Sequence, residues 1–459
     1  MTEVRRCHWL RNTLNKSQKE AVASSTMTAT SDNFLNAFAL YLNASLMQMG
    51  LLTAIPQIFG AMAQLFSVWV GPRFTRKKLV SSGAFIQAVV VSLMAVLAVW
   101  HNDKAVWVLL ILAIFYHALL NLIQPHWRAW MGSVVPPRRR GLFFARRTRL
   151  TMMSSLAVFI GGGLLLTGST LTLSEGLGFA LLFAIAASGR FTSSKLLTQM
   201  HDPETHPTGN PCSYSQTLVQ CKDAIKDKVF RHYSLFVAGM QGVVAISAPF
   251  FAVYMLNELK LSYLEYSLTN VASILTQFVT LGFWGRISDR YGNRVVMLFC
   301  SALMPLLPSL WIFAKDFESI LLIQLISGFA WSGFTLSTSN YLYDLRPHRA
   351  SFATYAAVQS ALGALGVFMG ALAGGLLASY SQNIKDWLDW EWIFSSLYLV
   401  FLCSGLLRLA MFLWFLPRAV EPRVRNTPRM LQVVYRVARF NAISGVVLDW
   451  LTVSKKDSS

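Results

Sequence analysis

The sequence predicts an all-α integral membrane protein, with about twelve transmembrane helices in two related six-helix halves. Three observations carry that expectation. Hydrophobic residues make up 54% of the chain and charged residues only 13%, whereas a soluble protein carries roughly 25% charged residues. About twelve apolar stretches, each near the roughly 20 residues needed to cross a hydrocarbon core about 30 Å thick, are separated by short polar breaks. Fragments of the first half also return in the second at an offset of about 210 residues.

Taken in order, the predicted spans are 20–42, 48–70, 79–100, 106–127, 145–172, 177–197, 231–256, 262–284, 295–314, 319–343, 352–380 and 392–416. The repeat is visible in particular residues: Phe38 to Leu42 (FALYL) returns as Phe251 to Met255 (FAVYM), Ala63-Gln64-Leu65 as Thr276-Gln277-Phe278, and Pro137-Arg138-Arg139 as Pro347-His348-Arg349. The expected organisation is a cytoplasmic N-terminal segment (1–19), a first bundle (20–197), a central cytoplasmic loop (198–230) and a second bundle (231–416). A basic tail (417–459) follows, with Arg429, Gln432, Arg436 and Arg439 on one face of a surface helix.

The net charge of +19 raises the question of nucleic acid, and its distribution answers it. Lys and Arg crowd alternate loops: Arg73, Arg76, Lys77 and Lys78; Arg128, Arg138, Arg139, Arg140, Arg146, Arg147 and Arg149; Arg286, Arg290 and Arg294; Arg346 and Arg349. The opposite loops hold Lys104, Lys260, Lys315 and Lys385. That bias is the positive-inside rule, so both termini are expected in the cytoplasm, with no nucleic-acid partner. Trp100 and Trp107 are expected as outer interfacial anchors, and Trp127, Trp130 and Trp284 as inner ones. The five cysteines show no metal-ligand spacing, and no metal is expected.

Between the eighth and ninth spans lies Gly285-Arg286-Ile287-Ser288-Asp289-Arg290-Tyr291-Gly292-Asn293-Arg294, read as a tight charged loop. Its spacing resembles the loop signature of the major facilitator superfamily of secondary transporters. The first-half copy keeps Gly71, Arg76 and Lys77 but has Thr75 in place of the acid. The resemblance implies a parallel-repeat fold with a substrate path at the junction of the halves. It also implies a gating role for Gly285, Asp289, Arg290, Gly292 and Arg294, with Asp289 reaching the start of the fifth helix or one of Arg140, Arg146 and Arg147. Glycines 161–163 with Gly168 in the fifth helix, and Gly363, Gly366, Gly370, Gly374 and Gly375 in the eleventh, predict close helix packing.

An ionisable group deep in lipid costs roughly 2.5–3.5 kcal/mol on insertion scales, so a mid-helix acid is expected to have a function. Asp32 is read as the one such acid, with Asn33 and Asn36 beside it, and it is expected to bind a proton or a cation. On the fourth helix His117, Asn121, Gln124 and Arg128 recur at intervals of four, three and four, forming one polar face. A histidine there suits proton exchange. The second half offers neutral candidates: Gln241, Asn270, Gln324, Trp331, Asn340 and Gln359. Gln277 joins these neutral candidates, whereas Gln57, Gln64 and Gln87 are expected in helix-to-helix hydrogen bonds. Arg408 falls outside the expected site.

Together these residues predict a proton-linked permease or exporter of a small organic solute. It is expected to work as a monomer in a bacterial plasma membrane, without a cofactor beyond the proton gradient. An uncoupled facilitator, or a receptor or scaffold that keeps the fold without transport, are the competing readings. Enzymatic activity is not expected, because no paired carboxylates or serine–lysine arrangement occur within the helices.

Overall fold

A computed structural model describes residues 3–70, 74–100, 104–135, 140–172, 174–202, 222–345, 352–387 and 395–420. Among them the chain is helical almost throughout. The helices are α1 (Glu3–Tyr41), α2 (Leu46–Val70), α3 (Arg76–Val99), α4 (Ala105–Val134), α5 (Arg140–Thr172), α6 (Glu175–Thr198), α7 (Lys228–Val253), α8 (Tyr263–Tyr291), α9 (Asn293–Leu303), α10 (Leu306–Trp311), α11 (Phe317–Asp344), α12 (Phe352–Trp387) and α13 (Leu397–Phe415). Ten spans among the described residues are long and apolar enough to cross a membrane, with α9 and α10 forming one broken span. With the more polar α1 and α8, twelve crossings result. The predicted helix at 428–453 lies outside the described residues.

Many helices carry a buried face and expose large apolar side chains on the opposite one, as lipid solvation demands. On α3 Val80, Ala84, Gln87, Val91, Met94 and Ala98 are buried, while Phe85, Val89, Leu93 and Val96 of the opposite face are exposed. Both stripes follow the 3.6-residue period.

The chain divides into two compact units. The first comprises Met1–Thr217, Ala245–Leu268 and Ala364–Leu397; the second comprises Leu218–Val244, Thr269–Gly363 and Tyr398–Ser459. In the first, backbones approach closely at glycines: a methyl added to Gly374 would lie 2.8 Å from the Ile246 Cα, and one at Gly50 would lie 2.7 Å from the Gly375 Cα. Small Ala54, Ala245 and Ala371 are buried beside each other. The core of the second is aromatic. Phe236 stacks on Phe415 at 4.1 Å, and Trp284 packs tilted against Phe329 at 4.8 Å.

Several boundaries differ from the sequence expectation, each for a physical reason. The first helix begins at Glu3 rather than near 20, because Leu10 and Leu14 pack on a buried cluster containing Trp130 and Met131 and the Thr13 hydroxyl accepts from the His201 N–H (3.3 Å). The loop expected over 285–294 contracts to one residue: α8 runs on through Tyr291, and Gly292, at φ 91, supplies the left-handed turn that a side chain would disfavour. Trp130 and Trp284 are fully buried, donating through their indole N–H groups to the carbonyls of His201 and Phe329, so they are core residues and not interfacial anchors. Trp100 and Trp107 are exposed as expected.

The ninth span breaks at Met304–Pro305. Pro308 has no N–H, so the carbonyl of Met304 loses its helical partner, and Arg408 Nη1 donates to it at 3.2 Å. A buried cation on α13 thereby restores a hydrogen bond that proline removed.

Candidate substrate and proton site

Asp32 lies on α1 between buried Ser31 and partly buried Asn33, and it is exposed. Tyr116 of α4, 1% exposed, donates its hydroxyl to Asp32 Oδ1 at 3.0 Å. The sequence pointed to His117; the neighbouring Tyr116 is the residue that reaches the acid. His117 is partly buried and meets the Tyr116 ring edge-on, with centroids 5.1 Å apart. Tyr116 is fixed from behind by Gln87, whose Nε2 donates to its carbonyl at 3.1 Å. The expected role of Gln87 as a helix-to-helix tie is therefore present.

The other first-half candidates occupy different roles. Asn33 Nδ2 donates to Ala29 O (2.7 Å), while its carbonyl accepts from the Tyr266 hydroxyl (2.9 Å). Asn36 is partly buried. Asn121 turns back to the carbonyl of His117 (2.9 Å) and fills the space left by Gly60. Gln124 and Arg128 are exposed.

A second charged cluster was missed by the sequence reading, which took Asp32 as the only mid-helix acid and left the others in loops or at helix ends. Glu20 is 2% exposed. Its Oε2 accepts from Arg147 Nη2 at 2.9 Å, and its Oε1 accepts from Ser193 Oγ at 3.0 Å with Arg190 Nη1 at 4.0 Å. Arg190 is itself buried, donating to Gln87 Oε1 (2.9 Å), Ser24 Oγ (2.9 Å) and Ser193 Oγ (3.1 Å). Arg147 also donates to the Ser17 carbonyl and lies 4.3 Å over the Trp127 ring. The polarity of residues 1–19 hid this cluster, because it set the predicted helix start at Glu20 itself. Twelve residues, about 18 Å of helix, separate Glu20 from Asp32.

In the second unit, Gln359 Nε2 donates to the Tyr233 hydroxyl at 3.1 Å, which in turn donates to the Thr338 carbonyl at 2.6 Å. Tyr233 is fully buried, so Tyr233→Phe should strand both partners and lower stability by about 1–3 kcal/mol, read as a lower thermal unfolding midpoint in detergent. Trp331 packs edge-on to Phe334 at 5.9 Å beside the aromatic core. Gln241 is exposed and fills the space beside Gly363; Asn270, Gln277, Gln324 and Asn340 are partly buried.

Of the expected gating residues, Asp289 and Arg290 are exposed and Gly285 and Arg294 partly buried. Arg290 sits 5.5 Å over the Tyr291 ring. Arg147, one of the partners expected for Asp289, is engaged by Glu20. The tie at this turn is instead made by Asn293, which bonds Ser288 and donates to Asp344 Oδ2 at 2.7 Å, joining α8 and α9 to the end of α11. Gly71 lies outside the described residues. Thr75 caps α3 by accepting from the Lys78 N–H, leaving Arg76 and Lys77 in its first turn.

A family profile described as Major Facilitator Superfamily matches residues 231–454. A curated relative, the MFS-type transporter gkaD of Penicillium citrinum, is 27% identical over 180 residues; the match spans 39% of this chain and 28% of that protein. Among solved structures, the nucleoside transporter NupG is similar at a TM-score of 0.71 and 15% identity, covering 89% of this chain and all of that one. A D-xylose-proton symporter is similar at a TM-score of 0.70 and 14% identity, covering 90% and 99%.

Proposed function

We propose that the chain belongs to the major facilitator superfamily of secondary transporters, on a profile match to residues 231–454 and a fold similar to that of solved transporters. In this reading it moves a small polar organic solute across a membrane by alternating access, with Asp32 carrying the coupling proton. The membrane proposed is a bacterial plasma membrane with both termini in the cytoplasm, as the loop charges favour.

The observation that carries the reading is an exposed carboxylate within α1, nine residues before its end, held by a single tyrosine hydroxyl. Among the described residues no cation forms an ion pair with it. Such an acid is expensive in a membrane unless it has work to do. Tyr116 donates to Oδ1, and that oxygen can accept whether or not Oδ2 carries a proton. The tyrosine can therefore hold the carboxyl in one orientation through protonation and release. Glu20 suits this role less, since both its oxygens already have partners.

Asp32→Asn keeps the acceptor oxygen for Tyr116 and imitates the protonated acid. In proteoliposomes it should reduce pH-gradient-driven accumulation at least tenfold while counterflow persists. Unchanged pH-driven accumulation would overturn proton coupling through Asp32 and favour an uncoupled facilitator. The substrate panel should begin with nucleosides and D-xylose, after which the two similar structures are named, screened first by ligand-dependent thermal stabilisation.

A further inference from the structure

Away from Asp32, the first unit contains a cavity of about 460 Å³ whose lining includes Tyr41, Asn43, Thr167, Glu175, Asn257 and Tyr263. That volume is within the range of small-molecule sites. The walls come from the end of α1, the ends of α5 and α6 that flank their connection, and the stretch from the π-helical Tyr254–Glu258 segment to the start of α8. The cavity lies about 13 Å, nine residues along α1, beyond Asp32.

Its chemistry is one-sided. Among the described lining residues Glu175 alone is charged, and it is exposed. Tyr41 and Tyr263 supply two aromatic rings, held by the same Phe179 at 5.3 and 5.6 Å. Asn43 and Asn257 add amide oxygens. A carboxylate beside aromatic faces in a polar cavity is the surface that recognises an ammonium group, because ring quadrupole and charge attract it together. An anion would meet the carboxylate and is disfavoured.

The walls also form a latch. Thr167, which lines the cavity, accepts from the Leu264 N–H at 3.0 Å, and two residues further on Tyr266 donates to Asn33 O. Alongside, Gly163 lets α8 approach so closely that an added methyl would lie 2.8 Å from Ser267 Cβ. These contacts hold Tyr263, at the start of α8, in the cavity wall. A ligand that needs all its walls must favour the docked arrangement over any in which they part.

We propose that this cavity is a regulatory site for a small organic cation of the ammonium class, and that occupancy holds the α5–α8 latch closed. The site is separate from Asp32 and needs neither proton coupling nor a particular cargo.

Choline and its neutral isostere 3,3-dimethylbutan-1-ol are suitable probes, titrated against the thermal unfolding midpoint of the purified full-length protein at constant ionic strength. Choline should raise the midpoint saturably and the alcohol should not. Glu175→Gln, at an exposed position with no packing to lose, should raise the half-saturating choline concentration at least tenfold. Thr167→Val should weaken choline binding with Glu175 intact, because it removes the latch acceptor. Asp32→Asn should leave the titration within twofold. Equal stabilisation by the alcohol, no response to choline, or an unchanged Glu175→Gln titration would each overturn the site. If Asp32→Asn alone abolished the response, the cation would belong at Asp32: the regulatory site would fail while the transport reading stood.

Discussion

Glu20→Gln should destabilise the protein by about 3–5 kcal/mol, the usual cost of removing one partner from a buried ion pair. The side chains of Glu20, Arg147 and Arg190 are 3%, 14% and 5% exposed, so water cannot replace the lost charge. The substitution leaves two guanidinium groups facing each other across a neutral amide. The measurement is the apparent unfolding midpoint in detergent, with Arg147→Gln as the second arm of a double-mutant cycle. A coupling energy above about 0.5 kcal/mol is expected for groups in one network. A midpoint unchanged in Glu20→Gln would mean that the cluster is wet and that α1, α5 and α6 are not tied through it. The consequence would reach the proposed site, because Arg190 holds Gln87 and Gln87 holds Tyr116 against Asp32.

The second large effect concerns backbone contact. In an ordinary helix Gly→Ala stabilises by up to about 1 kcal/mol, and Gly161 and Gly168 on α5, with nothing within 4 Å of an added methyl, should behave in that way. Gly374→Ala should have the opposite sign. Its methyl would fall 2.8 Å from the Ile246 Cα and 2.9 Å from its carbonyl carbon, and a backbone cannot rotate away as a side chain can. Overpacking of this kind costs about 1–3 kcal/mol. The test compares unfolding midpoints for the three alanine variants: Gly374→Ala should fall while the α5 variants hold or rise. Equal responses would mean that α7 and α12 are not in backbone contact.

Much of the architecture was legible because the membrane restricts what a chain can do. Backbone groups in lipid must be satisfied within the helix, so apolar run lengths gave most crossings. Asp32 was legible for the same reason: a charge stands out where the solvent is hydrocarbon. The glycines at 162 and 163 and at 374 and 375 could also be read as contact points, since small residues are what permits close approach. Gly162 meets the Phe34 ring, Gly163 meets Ser267, and Gly374 and Gly375 meet Ile246 and Gly50.

By itself, then, the sequence determined that this is a twelve-crossing membrane protein with an acid at mid-helix on its first span, because hydropathy and charge are local properties of a chain in lipid. Only the tertiary structure decided which residues stand beside that acid. Tyr116 is 84 residues from Asp32, and Glu20 lies 127 and 170 residues from the arginines that neutralise it. No periodicity encodes such pairings. They arise when packing brings distant helices together, and at that point a polar residue that looked like a helix end or a core aromatic becomes a partner.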